Sequence, residues 1–221
     1  MDTKMSLVKL NIGCGSVLPV GWINMDKSIK RYVIESRIWR FFCPAGSAEQ
    51  IDFRYINLRH SWLFSSSSVD VVYSSHVFEH LDAATQIFFL REAARVLKPG
   101  GILRIVVPDL FQLCKEYVNS VSEGSEDAAG QLLYWLNLHK DNVYQENRSV
   151  LRKTYDFIQG HPHLHRTMFD RQSLLDKIDS DLFGDFCFND YGESKYLGSL
   201  VREVEFAQEI CSSLYLECRK R

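Results

Sequence analysis

Two stretches of this chain are too apolar to leave either side in water. They are Val69–Tyr73, interrupted only by Asp70, and Ile102–Val107. Strands that read this way are buried on both faces, as in a parallel sheet covered by helices. Between them lies a helical pattern. Leu81-Asp82 supplies an N-cap, Ile87, Leu90, Ala94 and Leu97 recur at helical spacing, and Pro99-Gly100-Gly101 ends the run. A strand, a helix and a strand in this order make a right-handed βαβ unit, so the fold class is α/β with a mostly parallel sheet.

The flanking segments extend the pattern. Ser6–Ile12 is rich in β-formers and stops at Gly13-Cys14-Gly15, and a second short run, Gly21–Met25, stops at Asp26. A helix with aromatic anchors is expected over Ile29–Phe42, a strand or extended edge over Ile51–Leu58, and a polar turn over Ser65–Ser68. Beyond Pro108-Asp109 the pattern changes. Helices are expected at Phe111–Val121 and Ala128–His139, within a segment, 110–165, that carries Tyr117, Tyr134, Trp135, Tyr144, Tyr155 and Phe157. It is long for a single crossover and too short to hold a core of its own, so it reads as a helical insertion above the sheet within a single domain, 1–221. A helix at Arg171–Ile178, a strand at Phe183–Asn189, a helix-like stretch and a last strand at Ser213–Cys218 complete the chain.

Composition removes several classes of function. Lysine plus arginine is 26 and aspartate plus glutamate 28, a formal net charge of −2. That balance disfavours a protein that holds nucleic acid by bulk charge. No stretch approaches the ~18 apolar residues of a membrane span, and Met1–Gly15 has no apolar core of secretion-signal length. The six cysteines, Cys14, Cys43, Cys114, Cys187, Cys211 and Cys218, are scattered and form no C-x-x-C pair. They read as reduced thiols of a cytoplasmic protein rather than a disulfide scaffold or zinc ribbon.

The residues at the strand ends carry the chemistry. Glycines at 13 and 15 let a ligand approach the backbone where a Cβ would collide, although a tight turn has the same signature. Asp26, thirteen positions after Gly13, brings a carboxylate beside that turn, where it can accept both hydroxyls of a ribose. Asn57 can bond an adenine edge with Leu58 against the ring, or can simply end a strand in a turn. His76-Val-Phe-Glu79-His80 fits H-x-x-E-H, a zinc-peptidase pattern. It follows a buried strand directly and has no evident third ligand, so no metal is expected there, and Glu79-His80 reads as the start of the next helix. His161-Pro-His163-Leu-His165 reads as a pocket wall or exposed loop, with metal binding as the alternative.

Four segments carry a resemblance: KLNIGCGS, GWINMD, SSSSVDVVYSSHVFEHL and EAARVLKPGGILRIVVPD, in that order. Together they resemble the class I S-adenosylmethionine-dependent methyltransferases, in the small type-11-like branch. The resemblance runs from about residue 7 to 109 and returns weakly at His165–Leu175 and Ser213–Cys218. It implies a Rossmann-like seven-stranded, mostly parallel sheet with an antiparallel last strand, and the insertion between strands five and six. Gly13 and Gly15, with Cys14 between them, match the turn that cradles the methionine part of the cofactor. Asp26 matches the acid on the ribose, Asn57-Leu58 stands where an aspartate usually meets the adenine amine, and Ser74-Ser75-His76 follow the fourth strand, where cofactor and acceptor meet. S-adenosylmethionine is thus the implied cofactor, and a small molecule, glycan or lipid the implied acceptor.

The chain departs from that pattern in two ways. Its turn, Gly13-Cys14-Gly15-Ser16-Val17, lacks the family's third glycine, and Ser16–Val20 is too short for a full crossover helix. A protein that keeps the nucleoside site but has lost transfer activity is therefore a second reading, and a metal-dependent hydrolase using the two histidine clusters a third. A hydroxyl acceptor needs a general base within reach. The candidates are His76 and Asp109, at strand ends where ligands of open α/β sheets bind, with helix capping the alternative for Asp109.

Overall fold

A computed structural model describes residues 7–27, 51–136, 165–205 and 212–221. Seven strands form one sheet: β1 (Lys9–Ile12), β2 (Ile23–Asp26), β3 (Asp52–Tyr55), β4 (Val69–Ser75), β5 (Leu97–Pro108), β6 (Phe183–Asn189) and β7 (Ser213–Lys220). Their order is β3-β2-β1-β4-β5-β7-β6. Strands β1 to β5 pair in parallel, and β7 runs antiparallel between β5 and β6. The order reverses between β1 and β4, and in open α/β sheets the crevice outside that switch point is where ligands bind.

Among the described residues the α-helices are α1 (Ala83–Val96), α2 (Leu110–Ser122), α3 (Ala128–Trp135) and α4 (Arg171–Lys177). Asp82 caps α1 as expected, its carboxylate accepting from the Thr85 amide at 2.9 Å. The expected helices at Ile29–Phe42 and beyond Leu136, including His139, lie outside the described residues. Among those described, no helix is long and apolar enough to cross a membrane.

Three expectations shift. α1 stops at Val96, before Pro99-Gly100-Gly101, because Leu97 already adopts the extended conformation and opens β5. Register between β4 and β5 is lost between Val69 and Val71, where the Pro-Gly-Gly excursion bulges out opposite Asp70. A Cβ on Gly101 would lie 2.9 Å from the Lys98 carbonyl oxygen. Asp70 is not a flaw in its strand, since it accepts from the Val8 amide (2.8 Å) and pairs with Lys98 (2.7 Å). Finally, Glu79 and His80 are not the start of α1. Phe78–His80 is a separate 3-10 turn, and Leu81 and Asp82 come between it and the helix.

Alternation along the strands divides the core. Leu10, Ile12, Val72, Leu103, Ile105 and Leu216 face α1, whose Phe89, Leu90, Ala93 and Val96 close that layer. Val71, Tyr73, Ile102, Val106 and Tyr215 face the other way, against Trp22, Leu197 and Val204. On this second face Arg104 is fully buried. Its guanidinium donates to both oxygens of Glu205 (2.8 and 2.9 Å) and to Glu217 (3.0 Å), over the Tyr215 ring. Removing one member of such a network leaves an uncompensated buried charge. Arg104→Ala should therefore cost about 3–5 kcal/mol of stability in urea unfolding. The exposed Arg54–Asp52 pair should cost under about 1 kcal/mol when broken by Arg54→Ala.

Candidate active site

The site is built at the carboxyl edge of the sheet. β1 ends in a turn in which Gly13 (φ +69°) and Gly15 (φ +52°) both take the left-handed conformation, which L side chains adopt at a cost. The Gly13 and Cys14 amides both donate to the Met25 carbonyl, at 2.7 and 3.2 Å, so the turn is stitched to β2. The two glycines serve different needs. A Cβ on Gly13 would lie 2.1 Å from Cγ2 of Val77, whereas a Cβ on Gly15 would meet no atom of the described residues within 4 Å. Gly13 thus permits a close chain approach, and Gly15 leaves open space above the turn. Cys14 is buried, so the turn offers its backbone rather than its thiol. Among the described residues, Cys114, Cys187 and Cys218 are free thiols.

Asp26 stands at the end of β2, half-exposed, and accepts from the Gly15 amide at 3.0 Å. The short link between β1 and β2 is held by two buried asparagines. The Asn11 side chain donates to the Val17 carbonyl and to Asn24 Oδ1, both at 3.0 Å, and Asn24 donates to the Pro19 carbonyl at 3.1 Å. The first crossover helix is expected to be shortened or missing; residues 16–20 form no helix, and these amides close the link. Sequence reading missed both; an asparagine inside each of two neighbouring apolar strands was the available signal.

β3 ends at Tyr55, so Asn57 lies beyond the strand. Its carboxamide oxygen accepts from the Arg59 amide at 3.1 Å and its carbonyl accepts from His60, a turn stabilised by its own side chain. Leu58 packs against the main core. β4 continues past Tyr73 to Ser75. Ser74 is buried, with a hydroxyl that has no partner among the described residues, and Ser75 is half-buried at the rim. Next comes His76 at φ +52°, a left-handed conformation on a side chain with a Cβ. Asp109 gives its carboxylate to the first turn of α2, accepting from Phe111 (2.9 Å) and Gln112 (3.3 Å). Of its two expected roles, capping is the one its bonds fulfil.

Residues 10–105 match the family model described as a methyltransferase domain. Over 97% of this chain and 82% of its own length, a SAM-dependent methyltransferase of Thermotoga maritima, described as a possible histamine N-methyltransferase, superposes with a TM-score of 0.51 at 14% identity. The YcgJ protein of Bacillus subtilis superposes over 98% of this chain and 93% of its own, with a TM-score of 0.50 at 12% identity. No curated protein sequence matches the chain. The sheet order, the single antiparallel strand and the matched segment agree. The chain has the fold of these neighbours, and its residues 10–105 are similar to a methyltransferase domain.

The matched family model implies S-adenosylmethionine as the cofactor, and the edge just described has groups that suit it. The open space over Gly15 and the carboxylate beside it offer a backbone cradle and a hydroxyl acceptor in one place. The 3-10 turn that follows β4 forms the adjoining wall. Within it Glu79 is fully buried, and the backbone amides of Arg166 and Thr167 donate to its carbonyl at 2.9 and 3.2 Å. Those bonds bring His165 beside the 3-10 turn, 86 positions from Glu79 in sequence. Burial pushes the His165 imidazole below its ordinary value, with Glu79 opposing and His80 and His76 adding to the shift. His161 and His163 lie outside the described residues.

The Gly13–Val77 approach yields a test on stability. Gly15→Ala should cost about 1–2 kcal/mol, the left-handed penalty alone. Gly13→Ala carries that penalty plus the clash, so it should lower the thermal midpoint further. Adding Val77→Ala should recover part of the loss, and a double variant no more stable than Gly13→Ala would remove the contact as the cause.

Proposed function

We propose that this chain transfers the methyl group of S-adenosylmethionine to a small-molecule, glycan or lipid acceptor. The observation that carries the reading is the bond between the Gly15 amide and the Asp26 carboxylate, which locks the glycine turn to the strand-end acid. Gly13, Cys14 and Gly15 hold the methionine part through backbone groups, and Asp26 accepts the ribose hydroxyls. Asn57 and Leu58 take the adenine. Because the Asn57 oxygen already serves its own turn, the carboxamide NH2 is the group it offers, and the partner is a ring nitrogen acceptor. Ser74 supports the floor from beneath, and Ser75 borders the acceptor side. α2 and α3, from the described part of the insertion, cap that side, and residues 137–164 lie outside the described residues.

The sulfonium supplies the driving force for methyl transfer when the cofactor is bound. What remains for the protein is in-line positioning and, for a hydroxyl acceptor, removal of one proton. His76 is the residue for the proton. It leaves β4 beside the glycine turn and keeps its imidazole partly exposed. Asp109, engaged by α2, has the weaker claim, and its replacement by alanine should cost the ~1 kcal/mol of a lost cap.

Calorimetry with S-adenosylhomocysteine tests the cofactor site. The wild-type chain should bind it with micromolar affinity, and Asp26→Ala should weaken binding at least about tenfold, as expected for losing hydrogen bonds to a charged group. An undiminished affinity would exclude Asp26 from the ribose site. His76→Ala should leave that affinity intact and cut turnover about 10²-fold or more in an acceptor screen with labelled cofactor. Binding without transfer to any acceptor would favour the silent nucleoside binder, the reading that the shortened crossover motivates.

A further inference from the structure

The carboxylate of Glu79 is the one buried charge beside the site that the methyl-transfer reading leaves unexplained. Its side chain is fully buried, and neither oxygen accepts a hydrogen bond from any described residue. A carboxylate taken out of water needs compensation. The nearest candidates are imidazoles: His76 Nδ1 at 3.4 Å and His80 Nε2 at 3.9 Å from Oε1. Both are beyond the 2.7–3.2 Å usual for N–H···O bonds of about normal strength. The His165 ring lies 4.8 Å from that of His80, tilted by 58°, and its buried Nδ1 also has no partner among the described residues. One oxygen of Glu79 and one nitrogen each of His80 and His165 lie within 4.8 Å of one another.

We propose that Glu79, His80 and His165 form a binding site for a first-row divalent transition-metal ion, such as zinc or manganese, at the acceptor side of the methyltransferase site. Two imidazoles and a carboxylate are the donor set that zinc and its neighbours favour over magnesium. Bonds of about 2.1 Å in a tetrahedral site put donors about 3.4 Å apart. The cluster is therefore within one small side-chain adjustment of that geometry, the Glu79–His80 separation being 3.9 Å. Three protein ligands leave a coordination position open, which is the arrangement of sites that act on a bound molecule.

The ligands are also rigidly held. The 3-10 turn is fixed by Gln86, whose amide donates to the Phe78 and Leu81 carbonyls at 3.1 and 3.3 Å, and by Phe78, packed against Phe89 and Phe169. Two backbone bonds to the Glu79 carbonyl fix the chain just after His165. Val77, between His76 and Glu79, is the residue that the glycine turn approaches most closely. The open position therefore borders the place where the methyl group would be delivered. It suits an acceptor with a hydroxyl oxygen, which a metal ion orients and makes easier to ionise. This role rests on the methyltransferase reading, but the binding of the ion does not.

Metal titration of the untagged, chelator-treated chain tests the site directly. Cobalt(II) should saturate at one equivalent with a visible absorption band, and zinc should compete for it. Glu79→Gln, His80→Ala and His165→Ala should each weaken binding at least tenfold, while S-adenosylhomocysteine affinity stays within about threefold of wild type. Circular dichroism identifies any variant that fails to fold, and His165→Ala, at a half-buried position, keeps the test available if Glu79→Gln is lost. Absence of one-equivalent binding, or an unchanged metal affinity in folded His165→Ala, would overturn the metal site. If metal binds and S-adenosylhomocysteine does not, the cofactor reading fails while the metal site stands.

Discussion

Everything at the working edge of this sheet depends on how closely the turn after β1 approaches the chain leaving β4. Hydrogen bonding between the two parallel strands sets their spacing, with Ile12 opposite Ser74. Both chains must then leave the sheet at the same level. Any side chain at position 13 would collide with Val77, so the approach is open only to glycine. The backbone cradle, the rim of β4 and the 3-10 turn are thereby drawn into one site. Neither wall can shift independently, because the turn is also tied to β2 through the Met25 carbonyl and Phe78 is anchored in the main core.

The connection from β1 to β2 shows how side chains can replace an element of secondary structure. A crossover helix normally closes this link and directs its amide dipoles at the ligand. Here Ser16–Val20 has no room for one, and the Asn11 and Asn24 carboxamides bridge the gap from inside the sheet. Buried amides are stable only when their donors and acceptors are matched. Each asparagine therefore depends on the other and on the carbonyls of the link. No helix N-terminus therefore stands beside the glycine turn there, and the charged group bonded to the turn is Asp26.

Periodic elements could be read from the residues with little loss. The apolar runs of β4 and β5, the Asp82 cap and the spacing of α1 are local signals, and local signals survive folding unchanged. What could not be read is pairing across long separations. Arg104 interrupts an apolar strand, and its partners Glu205 and Glu217 lie 101 and 113 positions away. Nothing in the spacing predicts them. His165 is the same case at the site. It is brought beside the H-x-x-E-H segment by the Arg166 and Thr167 backbone bonds to the Glu79 carbonyl, a contact across 86 positions. Asn57 and Asp109 were each open to two readings because a turn or cap and a ligand contact demand the same residue type.

Residues 76–80 show why such a segment resists local reading: five consecutive side chains face five different requirements. A regular helix would put His76 and His80 on one face with Val77 and Phe78 beside them. The left-handed conformation at His76 breaks that relation at its start, and the tighter 3-10 turn rotates the remaining residues by about 120° each rather than 100°. His76 is thereby left at the rim, Val77 meets the glycine turn, and Phe78 drops into the aromatic cluster with Phe89 and Phe169. Glu79 is buried behind them, and His80 is turned back toward His165. The strained residue is what allows one short turn to serve the core, the cradle wall and the acceptor side together. Backbone strain at a strand end is the sort of cost that persists when the surrounding structure over-determines it, and here the close packing on both sides of His76 does so.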